Sequence, residues 1–576
     1  MGRETKRVTP WAPYGAVGGP GPATESKIEA SRNRVVAVAV GFALAFAVLG
    51  VRLVDLTLLE PGSEPRLSTA AGRISHERAD IVDRNGALLA ANLRTASVYA
   101  DPQRVIDPTA AANNLAAIIA GLDPDDVYAK LTSKRRFVWI KRGLSPADQN
   151  AVHQLGIPGV AFQIEQRRLY PHGRLAGHVL GFTGIDNRGL AGVERNFDDQ
   201  LSVPSRQRAG ALVLSIDHRV QFILEQEVAA VHERFKAKGA VGLVTDVITG
   251  EVLALASLPN FDPNNPGAAS ADGLFNRATL GTYEMGSTFK AFTVAMALDA
   301  GVADLQSRYD ATQPLRVARF TIRDFHAQKK WLSVREVFIH SSNIGAAKIA
   351  MDVGTKRQQA YLRAFGMLSP ERIELPEVGS PIVPKRWGDI STMTIGFGHG
   401  IAVSPIQLAG GIGALVNGGV RVPLTLLKRD PDADIPGHRV VSPKVSSHMR
   451  KLLRLVVDEG TGGRAAVAGY PVGGKTGSAE KPGVRGYRRK ALISSFVGAF
   501  PIDAPRYLVL VMLDEPVGTK KTFGYATGGW TAAPTVGRVV ERIAPLLGVE
   551  PEAPGKSRTP TIPINSFVQR GESVAH

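Results

Sequence analysis

The chain has 576 residues, 44% of them hydrophobic, with a formal net charge of +17 and a sequence pI near 10.0. That length allows about two or three domains, each large enough to bury a core, and the absence of cysteine excludes disulfides, thiolate catalysis and Cys-ligated zinc. The basic residues are mostly scattered, with small clusters such as Lys134-Arg135-Arg136 and Arg488-Arg489-Lys490 and no zinc-finger or RNA-recognition signature. The charge suggests attraction to something anionic, whether nucleic acid, an acidic membrane surface or a wall polymer, and its sign alone does not choose; the scattered pattern and missing signatures argue against nucleic acid.

Residues 1–30 are rich in Gly, Pro and charge, as are 551–576, and both read as mobile tails. Residues 35–51 form an uncharged run of 17, and Leu53, Val54, Leu56, Leu58 and Leu59 carry the apolar character past Arg52 and Asp55. This predicts a transmembrane helix over 35–59. A cleaved signal peptide fits less well, because 34 residues precede the run and Arg52-Leu53, not a small-x-small site, follows it. Arg3, Lys6, Arg7, Lys27, Arg32 and Arg34 lie before the span, so residues 1–34 are expected in the cytoplasm as a basic tail and everything after residue 59 outside it. Arg52 and Asp55 have the spacing to pair on one helix face.

From about 60 to 225, short apolar runs are broken by turn signals; Ile81-Val82 and Leu88-Leu89 around Asn85-Gly86 read as a hairpin. This region is expected to be an extended, strand-rich pedestal. In 226–548, residues 241–245 and 251–256 form a second hairpin, and 491–500 pairs with 507–513 across Pro501 and Pro505. A helix-rich stretch separates them. An antiparallel sheet built from both ends of a domain, with helices inserted between, is an α+β fold. Residues 549–576 are expected to be a flexible tail.

Three short motifs fall in order inside this second domain: Ser287-Thr288-Phe289-Lys290, Ser341-Ser342-Asn343 and Lys475-Thr476-Gly477-Ser478. Alone, a Ser-x-x-Lys is compatible with a capped helix start and a solvated lysine. Here Gly286 precedes it and the nearly uncharged stretch 291–300 follows, closed by Gly301, which describes a buried helix with a glycine stop. One helical turn sets the Lys290 amine beside the Ser287 hydroxyl, and burial lowers a lysine pKa, so the amine can accept the serine proton without any histidine.

The ordered trio is the signature shared by penicillin-binding proteins and serine β-lactamases, and the chain resembles the class B penicillin-binding proteins, most of all their division-type septal transpeptidases. The resemblance extends through Arg78-Ala79-Asp80-Ile81-Val82-Asp83-Arg84-Asn85-Gly86, Tyr170-Pro171, Gly192-Val193-Glu194 and Phe397-Gly398-His399-Gly400, covering about 70–535. Two positions depart from the pattern: Met285 stands where proline is usual, and Ala79 where glycine is common. The resemblance implies a β-lactamase-like catalytic domain on a dimerisation-type pedestal, needing no metal or other cofactor. It implies that Ser287 attacks the penultimate D-alanine of a peptidoglycan stem peptide, carried on lipid-linked nascent glycan, with Lys290 as base. Ser341 would relay a proton to the departing D-alanine with help from Lys475, and Asn343 would hold Lys290 and the substrate backbone. The N–H groups of Ser287 and Ser478 would form the oxyanion hole, and Thr476, Gly477 and Ser478 would bind substrate, the hydroxyls of Thr476 and Ser478 holding its carboxylate. β-Lactam antibiotics would enter the same path. The implied protein partners are an FtsW-type glycan polymerase and other divisome membrane proteins.

Other readings stay open on the sequence. The elongation-type relative, a β-lactam sensor or β-lactamase, and a catalytically silent division scaffold share much of the pattern. A phosphate-binding loop is also spelled by Gly469 to Thr476, but Gly477, Pro482 and Gly483 oppose the helix that such a loop must open, and the site would lie outside the cytoplasm.

Overall fold

The computed structural model describes residues 38–50, 78–203, 210–317, 320–430, 432–483, 486–552 and 567–569. The chain divides into two compact units, Met1–Ile74 and Ser75–His576. In the first, residues 38–50 are helical and exposed throughout. No helix among the described residues is long and apolar enough to cross a membrane. The remainder of the predicted 35–59 span, Arg52 and Asp55 included, lies outside the described residues, as does the basic tail.

The second unit opens with the predicted hairpin. β1 (Ile81–Val82) and β2 (Leu88–Ala100) pair antiparallel, and the turn between them is held by Asp83, whose Oδ1 accepts from the N–H groups of Asn85 and Ala87 at 2.7 and 2.8 Å. The long β2 carries β3 (Val138–Leu144) and β4 (Val160–Leu169), while β5 (Leu212–Val213) joins β1 in parallel. The pedestal is less strand-dominated than the sequence reading has it. Helices Pro108–Ile118, Pro124–Leu131 and Pro146–Gln154 pack on the sheet, capped by Asp107, Asp123 and Ser145, each followed at once by proline. Arg78 and Arg168 both bind the buried Glu194 carboxylate, at 2.5 and 2.6 Å, tying the start of the pedestal to its later segments.

The hairpin turn also reaches the next domain. Asp83 Oδ2 accepts from the backbone N–H of His218 at 3.2 Å and lies 2.7 Å from its Nδ1, and Asn85 donates to Asp217 at 3.0 Å. His218 opens α1 (His218–Arg234), with Asp217 as its N-cap.

The catalytic sheet combines β6 (Gly239–Asp246), β7 (Val252–Leu258), β8 (Gly473–Gly483), β9 (Gly486–Phe500) and β10 (Tyr507–Asp514) in the order β8-β9-β10-β6-β7, every pair antiparallel. The two hairpins expected from the sequence are present, and β10 joins them by pairing with β6, Leu510 opposite Leu243. Both faces are covered. Leu508, Leu510 and Met512 of β10 point into one core, with the buried faces of α2 (Lys290–Asp299), α3 (Asn343–Val353), α4 (Pro405–Val416) and α5 (Pro443–Asp458). Val509, Val511 and Leu513 point into the other, against α1 and α6 (Ala532–Ile543). A strand buried on both sides reads as a continuous apolar run, as β10 does.

Within the expected C-terminal tail, Phe567–Gln569 pairs in parallel with the strand Ile435–Arg439. Those three residues are therefore a sheet edge and not free chain.

Candidate active site

Ser287 lies in a single 3₁₀ turn, Gly286–Phe289, that runs directly into α2. The turn begins in the left-handed region, at Gly286 with φ +55°, and a Cβ there would come within 2.9 Å of the Ser478 carbonyl oxygen. Glycine is what lets the nucleophile turn sit against β8. The next residues are sealed in: Lys290 through Ala297 of α2 are all buried, and Gly301 ends the helix region at φ +66°. The buried helix with a glycine stop is thus present. Its first side chain carries an amine 3.0 Å from Ser287 Oγ.

Asn343 begins α3, whose cap is Ser342. Its Oδ1 accepts from Lys290 Nζ at 2.8 Å, and its Nδ2 donates to the Arg323 carbonyl at 2.9 Å. Ser341 precedes them in a left-handed conformation, φ +59°, which a side-chain-bearing residue adopts only at a cost of roughly 1–2 kcal/mol. That conformation aims the Ser341 carbonyl at Lys290 Nζ, 2.5 Å away. The Ser341 hydroxyl lies 3.1 Å from Lys290 Nζ and 3.1 Å from Lys475 Nζ, bridging the two amines.

Lys475, Thr476, Gly477 and Ser478 follow one another along β8, an edge strand. Lys475 lies within a strand, so the Gly469 to Thr476 run cannot cradle phosphate as a loop opening a helix. A Cβ on Gly477 would meet Ser495 Oγ at 2.3 Å and the Met285 carbonyl at 2.7 Å, so only glycine allows this close approach of strand and nucleophile turn. The flanking hydroxyls are held from outside. Thr476 Oγ1 is 2.6 Å from Thr461 Oγ1, and Ser478 Oγ accepts from the Gly528 N–H at 3.1 Å.

Electrostatics separates the two lysines from ordinary surface amines. Both are 0% exposed. Burial, and then the charge of Lys475, push the Lys290 amine well below the usual lysine range, with Asp324 opposing the shift. Burial brings Lys475 down to about 7. A neutral Lys290 has two N–H bonds and a lone pair. The Ser341 carbonyl and Asn343 Oδ1 can only accept, so they take the N–H bonds and leave the lone pair for a hydroxyl proton, Ser287 Oγ–H being 3.0 Å away.

All five residues expected to carry the reaction, Ser287, Lys290, Ser341, Asn343 and Lys475, are therefore joined in one hydrogen-bonded group, with Thr476, Gly477 and Ser478 on the adjoining strand. Several neighbours were not anticipated. Asp324 accepts from the Asn343 and Ile344 N–H groups, at 2.5 and 3.0 Å, and from Ser342 Oγ at 2.7 Å. Glu284 accepts from the Gly400 N–H at 3.0 Å and from Tyr487 at 3.2 Å, beside His399, whose ring packs on Tyr487. Burial raises the pKa of Glu284 and lowers that of His399 to about 4. His399 and Gly400 belong to the Phe397-Gly398-His399-Gly400 run noted in the sequence; Asp324 and Thr461 belong to no motif.

Comparison with known proteins gives this geometry a context. Residues 240–541 match the model of the penicillin binding protein transpeptidase domain, and 73–205 that of the penicillin-binding protein dimerisation domain. The chain is 46% identical over 486 residues to a probable peptidoglycan D,D-transpeptidase FtsI of Caulobacter vibrioides, covering 82% of each protein. It is 30% identical to peptidoglycan D,D-transpeptidase FtsI of Escherichia coli, over 88% of this chain and 91% of that one. Among solved structures, penicillin binding protein 3 of Mycobacterium tuberculosis, in complex with aztreonam, superposes with a TM-score of 0.65 at 25% identity, over 83% of this chain and 98% of that one.

Proposed function

The chain belongs to the class B penicillin-binding proteins, and from that premise we propose that it cross-links peptidoglycan stem peptides as a D,D-transpeptidase with Ser287 as its nucleophile. The observation that carries the assignment of Ser287 is the fully buried Lys290 amine 3.0 Å from its hydroxyl, with both amine N–H bonds already taken by acceptors. The Ser287 proton passes to Lys290 Nζ as Oγ adds to the carbonyl carbon of the penultimate D-alanine. The N–H groups of Ser287 and Ser478 receive the oxyanion; the contact of Gly286 with the Ser478 backbone supports this pairing. Collapse breaks the amide C–N bond. The terminal D-alanine leaves as an amine, protonated from Lys290 through the Ser341 hydroxyl, with Lys475 stabilising the relay. The amine of a second stem peptide then adds to the ester, loses a proton and expels Ser287 Oγ, which regains its own. Asn343 and the hydroxyls of Thr476 and Ser478 orient the peptide and its carboxylate. A β-lactam acylates Ser287 in the same way, but its ring opens without losing a leaving group, so the second step is blocked.

The test is intact-protein mass spectrometry of the residues after 59, incubated with a penicillin, beside Ser287→Ala. One stable adduct on the wild-type protein and none on the variant is the expected result. A stable adduct on Ser287→Ala would overturn the assignment of the nucleophile, and rapid loss of the wild-type adduct would indicate a β-lactamase.

The pedestal at 60–225 and the catalytic domain at 226–548 act outside the cytoplasm, at the division site of the inner membrane. Residues 35–59 are the single-pass anchor and 1–34 its cytoplasmic tail, a reading supported by the uncharged run and the basic residues before it. The anchor and pedestal meet an FtsW-type glycan polymerase and other divisome membrane proteins. Deletion of 35–59 is expected to release the protein from membranes and to abolish co-purification with that polymerase; retention of the complex would exclude the anchor as its docking element.

A further inference from the structure

Asp324 stands on no strand or helix, yet every hydrogen bond described for its carboxylate ends on the segment that opens α3. Oδ1 accepts from the backbone N–H groups of Asn343 and Ile344 at 2.5 and 3.0 Å, and Oδ2 accepts from the Ser342 hydroxyl at 2.7 Å. A carboxylate at a helix N-terminus is a favourable partner for unsatisfied N–H groups and for the helix dipole. Here the consequence passes to the reaction centre. The preceding residue, Arg323, supplies the carbonyl that accepts from Asn343 Nδ2 at 2.9 Å. With Nδ2 so occupied, the amide can present only Oδ1 to Lys290 Nζ, 2.8 Å away. The Arg323-Asp324 pair thus sets both the place and the orientation of the Asn343 amide.

We propose that Asp324 is a positioning residue of this site, which fixes the Asn343 amide that orients Lys290 and holds its negative charge on the backbone N–H of that same asparagine. The inference rests on the reading of Ser287 and Lys290 given above. Three charged or titratable groups face Lys290 from the elements around it: Lys475 from β8, His399 from the loop before α4, and Asp324 from the loop before α3. Only Asp324 favours the ammonium form. Its charge restrains the loss of the Lys290 proton and stabilises the ammonium that forms when Ser287 is deprotonated.

Asp324→Asn separates charge from geometry. An asparagine carbonyl can accept from the same two N–H groups, and its amide can donate to Ser342 Oγ, so the segment is held while the charge is lost. Asp324→Ala removes both. The experiment measures the rate of Ser287 acylation by a penicillin across pH, with thermal unfolding of each variant as a check of folding. For Asp324→Asn the acid limb should move to lower pH, because Lys290 is then neutral further into acid, and the variant-to-wild-type rate ratio should rise as pH falls. For Asp324→Ala the rate should drop roughly tenfold to a hundredfold at every pH, from misplacement of Asn343 and Lys290. A flat rate ratio for Asp324→Asn, together with wild-type rates for Asp324→Ala, would overturn the proposal. Wild-type protein that forms no adduct on Ser287 would instead refute the reading of the nucleophile on which it rests.

Discussion

At the scale of single residues, the site is assembled from groups that oppose folding. Lys475 is buried without a carboxylate among its described hydrogen-bond partners, and burial holds its pKa at about 7, against about 10.4 in an unfolded chain. In the window between those values the unfolded state binds more protons than the folded one, so stability rises with pH from about 7 toward 10 and the penalty is complete below 7. Lys475→Met removes this dependence. The variant should be more stable than wild type at pH 7 and unable to acylate at a useful rate. Its advantage should shrink, by at most about 1.4 kcal/mol per pH unit, as pH is raised to 9. Denaturant melts at the two pH values provide the check. The left-handed Ser341 carries a smaller cost and holds its carbonyl and hydroxyl on the two lysines.

Between elements, what matters is how closely β8 approaches the turn that carries Ser287. A Cβ on Gly477 would meet Ser495, Met285 and Thr288. A methyl group there must move the strand away from the turn. Gly477→Ala should cost about 1–3 kcal/mol by overpacking and slow acylation more than tenfold, as measured by melting and adduct formation. The three motifs were legible because each is short and local, and the two sheet hairpins because alternation and turn residues mark them. The pedestal helices are less legible, although Asp107-Pro108, Asp123-Pro124 and Ser145-Pro146 each spell a helix start, because their apolar faces are short. Asp324 and Thr461 were illegible for another reason. Each acts on a partner distant in sequence, Asn343 or Thr476, through contacts that only the folded chain creates.

For the whole second unit, the hairpin turn of the pedestal is one of several ties to the catalytic domain, beside the Arg84–Glu251 ion pair and the bonds from Tyr170 to Asn264 and from Gly192 to Glu377. Asp83, 0% exposed, serves its own turn and the first residue of α1 at once. Although burial opposes it, hydrogen bonds from His218, Ala87 and Asn85 hold its pKa below the usual carboxylate value. Its contribution is therefore present above the unfolded value of about 3.9 and is lost as pH falls through the folded one. Asp83→Ala strands several donors at about 1–3 kcal/mol each. Thermal unfolding of that variant should begin at a lower temperature than that of the wild-type protein.

The order of strands across the catalytic sheet also governs when the enzyme can exist during synthesis. β6 and β7 leave the ribosome early, but their neighbour β10 is made only after the helices and the third motif strand have emerged. Until then β6 has an open edge, and Ser287 has no Lys475 against which to close its site. Closure of so long a loop is slow, and incomplete sheet edges attract other chains. A growing chain is thus catalytically silent until β8 and β10 have both emerged, and it is most exposed to aggregation and to chaperones in the interval before β10 arrives.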